Sequence, residues 1–338
     1  MSNKYRNLFM AFGIIAIVIM LCTMDMDYTD ILRYLERAGL YFPLILALWL
    51  VVYWVNTLSW YLIINDEGRV KGLSFWRVYK LTVSGFALNY TTPCGLMGGE
   101  PYRIMELKPY TGVSRATSSV ILYVMMHIFS HFWFWFLSIF LFIALHPVGT
   151  AMAVMLAVIG AFCLLGIYFF ARGYRTGMAH RGIALLTHIP YVKRWALRFA
   201  EQKRDTLEQI DSQIALLHGQ HRSTFYASLL AEVAARVLQS LEIYLILQAF
   251  GAGVSVPDSI LILAFSSLFS NLIFFSPMQL GAREGGLALA VDGLHLTGAL
   301  GVYTGLITRL RELVWIAIGI LLIKIGNNKN NEQQQNSL

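Results

Sequence analysis

The chain has 338 residues, of which 57% are hydrophobic and only 13% are charged, and its mean hydropathy is +0.60. A soluble domain usually carries about a quarter charged residues, so this composition excludes an ordinary soluble enzyme and predicts an all-α polytopic membrane protein. The net charge of +7 fits basic cytoplasmic loops better than a nucleic-acid surface, and we expect no nucleic-acid partner.

Six apolar runs approach or exceed the roughly 20 residues that a membrane-spanning helix needs. In chain order they are 8–24, 42–64, 117–145, 148–171, 223–250 and 300–324. Two further runs, 78–98 and 259–281, are interrupted near their ends by proline and glycine. We expect the first run to be retained as a helix, because no small-residue cleavage site follows it.

The distribution of lysine and arginine predicts how the two interrupted runs are placed. Lys4 and Arg6 put the N-terminus in the cytoplasm. If 78–98 crossed the membrane fully, the loop 172–222 with its nine basic residues would lie outside. A run that enters and returns to the same side puts this loop inside, and the same treatment of 259–281 makes the C-terminus cytoplasmic. The sequence therefore predicts about six full transmembrane helices plus two re-entrant broken-helix hairpins.

An internal repeat accompanies these hairpins. Pro93 and Glu100 are seven residues apart, as are Pro277 and Glu284, and the two pairs are offset by 184 residues. The same offset moves helix 42–64 onto 226–248. Because the first copy begins outside and the second inside, the copies form an inverted repeat, an architecture of transporters with a midplane substrate site.

We expect residues 1–325 to form a single integral membrane domain. Repeat A (42–145) and repeat B (226–325) are joined through 148–222, where Leu207, Ile210, Ile214 and Leu217 predict an amphipathic helix on the cytoplasmic surface. The polar tail 326–338 is expected to be disordered. Cys22, Cys94 and Cys163 are scattered singly, so no disulfide framework, metal site or cofactor is expected.

The stretch NYTTPCGLMGGEPYR breaks a helix and follows the break with charges. Broken helices expose backbone N–H groups, and paired glycines let backbone approach a ligand closely. Arg103 suits a phosphate headgroup, while Glu100 suits an amine, a sugar hydroxyl or a proton. The alternative is a hairpin shaped by Pro93, with Glu100 and Arg103 as an interfacial ion pair. The candidate headgroup-binding residues are Gly98, Gly99, Glu100, Arg103, Arg283, Glu284 and Arg309.

Other charged and imidazole side chains occur within apolar helices. Glu232 and Arg236 are four residues apart and can form an ion pair on one face, which is the interpretation we favour for them. Glu312 shares a face with Arg309. His127 and His131, also four residues apart, suggest a proton relay or packed core histidines, since no third metal ligand is visible.

The same stretch, the following GVSRATSSVIL, and the later P-x-x-x-G-x-x-E with an arginine in the last helix resemble the lysylphosphatidylglycerol synthase transmembrane, or flippase-like, family. The resemblance covers most of residues 8–324. It implies an integral membrane fold that moves lipid headgroups or lipid-linked precursors between leaflets. The positions it carries over in the first motif are Asn89, Pro93, Gly98, Gly99, Glu100 and Arg103, with Asn89 as a further candidate headgroup-binding residue. In the second half they are Pro277, Gly281, Glu284 and Arg309.

The chain also departs from that family. Many members have a Glu-Arg pair and then an aspartate where this chain has Tyr123, Val124 and His127. Some members carry a soluble aminoacyl-transferase domain, for which this chain leaves no length. We therefore expect no synthase activity.

The leading hypothesis is a flippase or transporter of a lipid or lipid-linked precursor in the cell inner membrane, and not an enzyme. Its partners would be membrane lipids or the lipid-linked substrate, with a homo-oligomer or a partner synthase left open. One alternative is a membrane glycosyltransferase using a lipid-phosphate sugar donor, based on Asp25 and Asp27. Another is an ion-coupled carrier of a small anion.

Overall fold

The computed structural model describes residues 35–91, 98–172, 220–272, 282–294 and 296–324. Every regular element within these ranges is a helix, which confirms the all-α prediction. Beyond a single turn at 35–38, the helices are α1 (Tyr41–Ile64), α2 (Phe75–Thr91), α3 (Gly99–Leu145), α4 (Thr150–Arg172), α5 (Arg222–Ala249), α6 (Val256–Leu272), α7 (Ala282–Asp292) and α8 (Gly298–Lys324). The predicted helix 8–24, the amphipathic linker helix and the C-terminal tail lie outside the described residues.

Three of the described helices, α1, α3 and α4, are long and apolar enough to cross a membrane. Helices α5 and α8 have the length, with 28 and 27 residues, but carry charged side chains along their middle. Such side chains are costly in hydrocarbon and are normally turned towards protein or a wet cavity. Length and composition therefore support a membrane protein, while the number of six full spans stays a prediction.

Helix α3 is broken near one end. Its 47 residues include Pro109, which has no backbone N–H, and Gly112, whose φ of 79° lies in the left-handed region that favours glycine. The break divides α3 into a short first arm, 99–111, and a long second arm, 113–145. Only the second arm is predominantly apolar.

The described residues fall into two compact units. Unit 1 is drawn from Met1–Leu58, Val70–Ala116 and Ala234–Leu338, and unit 2 from Ser59–Arg69 and Thr117–Val233. Helices α1, α3 and α5 have residues in both. The prediction of one integral membrane domain built from two repeats is not tested by this division.

Unit 1 packs α1, α2, α5 and α8 around a buried aromatic and aliphatic core. That core contains Trp49, Tyr53, Val83, Ile246, Ile307 and Trp315. Helices α2 and α8 approach very closely, because a Cβ added at Gly319 would lie 2.5 Å from the Cβ of Ala87. Ser84 Oγ also donates to the carbonyl oxygen of Gly319 at 3.0 Å. Small residues thus set the α2–α8 spacing.

A second core in unit 1 joins α5, α6 and α7. It contains Ile243, Leu247, Ile262, Leu287 and Val291. Helix α7 then packs against the start of α8, where a Cβ at Gly301 would lie 2.5 Å from the Cα of Ala288. These contacts seat the short helix α7 between α6 and α8.

Unit 2 is held by aromatic side chains. Trp60 stacks on Tyr123 with ring centroids 5.5 Å apart, and Phe129 stacks on Phe170 at 5.3 Å and contacts Phe225 at 6.0 Å. These pairs join the end of α1, the second arm of α3, helix α4 and the start of α5. The polar groups of this unit are therefore surrounded mainly by aromatic side chains.

One side of α4 is exposed and apolar. Val158 and Leu165 have 65% and 66% of their surface exposed. On its packed side, Gly166 accommodates Phe132, whose ring would lie 2.3 Å from a Cβ at that position. An apolar exposed face on a helix of spanning length is suited to lipid.

Candidate functional site

The helix break predicted between residues 78 and 98 is present in unit 1. Helix α2 ends at Thr91 and α3 begins at Gly99. Asn89 joins the two ends, since its Oδ1 accepts the N–H of Gly99 at 2.7 Å and its Nδ2 donates to Glu100 Oε1 at 2.8 Å. Asn89 is therefore an N-cap for α3 supplied by the preceding helix.

Helix α2 and the first arm of α3 run antiparallel, and we call this pair hairpin A. Contacts from the tip to the base join Asn89 to Glu100, then Thr82 to Arg103, and then Arg77 to the ring of Tyr110 at 4.8 Å. The contacts step down one helix as they step up the other, so the chain reverses direction at the tip.

Two glycines permit this close packing. A Cβ at Gly99 would lie 2.1 Å from the carbonyl oxygen of Gly85, and a Cβ at Gly85 would overlap the guanidinium of Arg103. Gly98 is buried beside them. The sequence predicted that Gly98 and Gly99 let backbone approach a ligand, whereas Gly99 approaches a neighbouring helix in the structure.

Arg103 is fully enclosed, with 1% of its surface exposed. Its Nη2 donates to the Thr82 carbonyl oxygen at 3.3 Å, its guanidinium lies 4.9 Å from the centroid of Phe86, and its Nη1 is 3.6 Å from Glu100 Oε1. The predicted Glu100–Arg103 ion pair is therefore present. Glu100 Oε2 is buried with no hydrogen-bond partner among the described residues. The pair thus keeps an unsatisfied acceptor at the tip of hairpin A.

Helices α6 and α7 form a second pair, hairpin B, in the same unit. A Cβ at Gly286 would lie 3.1 Å from the ring of Phe269 and 3.3 Å from the Ser266 carbonyl oxygen, so the two helices are in direct contact. Arg283, in the first turn of α7, donates from Nη1 to Glu312 Oε1 of α8. The predicted site residue Arg283 is therefore tied to the last helix.

Helix α8 carries a buried arginine–glutamate network, consisting of Arg283, Arg309, Arg311, Glu242 and Glu312. Arg311 forms a two-pronged ion pair with Glu242 of α5, with Nε–Oε1 at 2.8 Å and Nη2–Oε2 at 2.9 Å. Its Nη1 lies 3.8 Å from Glu312 Oε1, and Arg309 Nη1 lies 3.6 Å from Glu312 Oε2. All but Arg283 are at most 4% exposed.

Trp49 of α1 completes the Glu242 end of this network. Its indole Nε1 donates to Glu242 Oε2 at 2.9 Å, and its ring lies 3.7 Å from the guanidinium carbon of Arg311. Glu242 therefore accepts three hydrogen bonds, which fixes Arg311 in place. Arg309 and Arg283 share the other carboxylate, Glu312.

Hairpin A reaches the same network. Tyr90, the residue after Asn89, packs against the cluster of Ala87, Ile316 and Ile320 that joins α2 to α8. It lies within electrostatic reach of Glu312, Arg283, Arg311 and Glu242. The structure thus brings residues of both predicted motifs together around the middle of α8.

Sequence reasoning missed part of this site. It did not identify Glu242 and Arg311, which lie on different helices and form an ion pair with each other. A usable signal was present, since an acid in one apolar helix and a basic residue in another, neither predicted to pair within its own helix, are expected to pair with each other. Trp49 and Tyr90 were also not predicted.

Several predicted residues cannot be placed. Pro93, Pro277 and Gly281 lie outside the described residues, as do Asp25 and Asp27. Glu284 lies in the first turn of α7.

His127, His131 and Glu232 belong to a second polar group. In unit 2, His127 Nδ1 lies 2.8 Å from Glu232 Oε2, and the rings of His127 and His131 are 5.6 Å apart. Arg236, the predicted partner of Glu232 on α5, is buried and belongs to unit 1. No group of three or more metal-binding side chains occurs in the part of the chain that the structure describes.

In chemical terms, the site in unit 1 can hold an anion. Three arginine side chains of this network, Arg283, Arg309 and Arg311, lie within 4 Å of the Glu312 carboxylate. Guanidinium groups bind phosphate and carboxylate through parallel hydrogen bonds. The unsatisfied oxygen of Glu100 adds an acceptor for an amine or a hydroxyl.

Comparison with known protein families identifies one match. The profile of one family, described as the lysylphosphatidylglycerol synthase TM region, matches residues 8–319. The match includes both hairpins and nearly all of α8. No curated protein and no solved structure matches the chain. Since the profile covers most of the sequence, the chain belongs to the lysylphosphatidylglycerol synthase TM region family of membrane proteins.

Proposed function

We propose that the protein moves a lipid or lipid-linked precursor with an anionic, phosphate-bearing headgroup between the leaflets of the cell inner membrane. The observation that carries the proposal is the convergence of hairpin A, hairpin B and the buried arginines of α8. Buried ionisable groups in membrane proteins are costly, and they usually mark a substrate or ion pathway. The proposal assigns the protein no catalytic step.

The lengths of the hairpin helices favour re-entry. The described parts of α2 and α6 have 17 residues each and that of α7 has 11. At 1.5 Å per residue they extend about 26 Å and about 17 Å, less than the roughly 30 Å of a hydrocarbon core. Each hairpin then enters and leaves on the same side, with its tip inside the membrane.

The helix boundaries also favour the inverted repeat. Adding the 184-residue offset to α1 gives 225–248, against Arg222–Ala249 for α5. Adding it to α2 gives 259–275, against Val256–Leu272 for α6. The two arms of α3 move in the same way onto α7 and α8. A repeat of four elements in one order supports two halves that meet at a midplane site.

The charges at the site suit a lipid phosphate. Arg309 and Arg283 share Glu312, so an incoming phosphate can take over one guanidinium without leaving that carboxylate unpaired. Glu100 Oε2 can accept a hydrogen bond from an amine or hydroxyl on the same headgroup. The ion pair of Arg311 with Glu242 holds the helices and is not assigned to substrate.

The test uses purified protein in vesicles of phosphatidylethanolamine and phosphatidylglycerol that contain a trace of headgroup-accessible fluorescent phosphatidylglycerol. We expect wild-type protein to expose the inner-leaflet probe to an external quencher, and Glu100→Gln and Arg309→Gln to slow this at least several-fold. Glutamine keeps an acceptor for Asn89 but removes the charge of Glu100. Arg222→Gln, at the exposed start of α5, is the matched control.

Two results would contradict the proposal. If both site variants moved the probe as fast as wild type and as Arg222→Gln, the site would not bind the headgroup. If wild type moved no lipid but took up inorganic phosphate into the same vesicles, the protein would be a carrier of a small anion.

A further inference from the structure

The polar group in unit 2 is separate from the residues assigned to the headgroup. Glu232 is 1% exposed, and Oε2 of its carboxylate lies 2.8 Å from Nδ1 of His127. Its other oxygen, Oε1, is buried with no hydrogen-bond partner among the described residues. The side chain of His127 is 30% exposed, so the imidazole lies between the buried carboxylate and the protein surface.

The neighbours of this pair are mostly apolar. On α3 the titratable groups near His127 are Tyr123 and His131, and on α5 Arg236 lies one turn beyond Glu232. Helix α1 contributes Trp60, which stacks on Tyr123, and α4 contributes phenyl rings. Other ionisable side chains on the helices of this unit include Tyr61, Cys163, Tyr168, Arg222 and Tyr226. Glu232 is the only carboxylate on the described helices of unit 2.

A buried acid beside an imidazole is suited to binding and releasing a proton. With one proton between them, the two groups form either a neutral hydrogen-bonded pair or an ion pair. A second proton leaves a neutral carboxylic acid beside an imidazolium, whose charge His127 can present to its open side. Losing that proton restores the pair, so the change involves one proton and no other reactant.

The pair also lies on a continuous row of rings. Tyr123, His127, His131 and Trp135 recur every four residues on one face of α3, with centroid separations of 6.5, 5.6 and 5.1 Å along the row. At 1.5 Å per residue the row extends about 18 Å, more than half of a hydrocarbon core of roughly 30 Å. Two imidazoles in such a row can pass a proton along the helix.

We propose that the His127–Glu232 pair is a proton-binding site, served by His131, whose protonation and deprotonation drive lipid movement with a transmembrane proton gradient. The coupling rests on the proposed function, because it needs a transported lipid. Helix α5 carries both Glu232 and Glu242, so a change at the pair acts on a helix that also holds the arginine–glutamate network.

The experiment uses the same fluorescent-lipid vesicles with a pH-sensitive dye inside. In wild type, an imposed pH gradient should change the rate of probe movement several-fold, and proton entry should accompany it. Glu232→Gln and His127→Gln should abolish both responses. The matched control is His221→Gln, since His221 also contacts a carboxylate, that of Asp66 at 3.1 Å, but is 70% exposed. This control should keep the gradient response.

The outcomes separate the two proposals. If the pH gradient does not change the rate of probe movement in wild type, the proton coupling is wrong and the proposed function is unaffected. A full gradient response in Glu232→Gln would have the same meaning. No probe movement in wild type under any gradient would overturn the proposed function and the coupling with it. If Glu232→Gln does not fold, as judged by gel filtration, His127→Gln and wild type still decide the question.

Discussion

Gly99 shows how one missing side chain positions the candidate site. Its N–H is capped by Asn89, and its α-carbon faces the carbonyl oxygen of Gly85 at a distance that leaves no room for a methyl group. Gly85 also lacks a side chain, and the guanidinium of Arg103 occupies the space where a Cβ at Gly85 would lie. The buried guanidinium therefore depends on two glycines from two helices.

This close packing makes a specific prediction. In Gly99→Ala the new Cβ would lie 2.1 Å from backbone, which cannot move aside as a flexible side chain can. Overpacking of this kind costs about 1–3 kcal/mol, so we expect a lower unfolding temperature in detergent and weaker lipid movement. The control is Gly285→Ala, where nothing lies within 4 Å of the added Cβ. Equal unfolding temperatures for the two variants would contradict the packing of hairpin A.

At the scale of elements, Glu242 and Arg311 join α5 to α8. Each is buried, and the pair is reinforced by the Trp49 indole. Buried ion pairs of this geometry are costly to break on one side, whereas replacing both partners by apolar groups is often close to neutral. Substituting one or both residues therefore tests whether the Glu242–Arg311 contact stabilises the packing of α5 against α8.

We expect Glu242→Leu and Arg311→Met each to destabilise the protein by roughly 3 kcal/mol or more, because each removes the nearest charged partner of a buried charge. The double variant should be less destabilised than the sum of the two, which a double-mutant cycle of thermal unfolding in detergent measures. Arg222→Met, on the exposed start of the same helix, should change the unfolding temperature little. Strict additivity would mean that the two residues do not interact.

At the scale of the whole molecule, the sequence predicts the positions of the helices better than the contacts between them. Long apolar runs fix α1, α5 and α8 to within three residues, because burial in lipid depends on length and hydrophobicity alone. The break between α2 and α3 also follows from local residues, since proline and glycine end helices. The family resemblance pointed to the same motif residues, and the family match confirms that resemblance.

Contacts between helices were harder to predict. Spacing along one helix identified Arg309 with Glu312, but it could not join Glu242 to Arg311 or Glu232 to His127, because those partners lie on different helices. Likewise, paired glycines indicate a close approach without showing whether a ligand or another helix approaches. Both the ion-pair partners and the group that approaches the glycines are determined by how the helices pack together.

The central claim is that two hairpins enter the membrane from opposite sides and meet at the arginines of α8. Single cysteines at the exposed positions Ser74 and Val113, which flank hairpin A, and at Ser255 and Thr297, which flank hairpin B, test it in sealed vesicles. The native Cys22, Cys94 and Cys163 would first be replaced by serine. The label is a membrane-impermeant maleimide applied to each side in turn.

We predict that the cysteines at 74 and 113 react only from the cytoplasmic side and those at 255 and 297 only from the opposite side. Labelling of the two ends of either hairpin from different sides would show that it crosses the membrane, and would contradict the account.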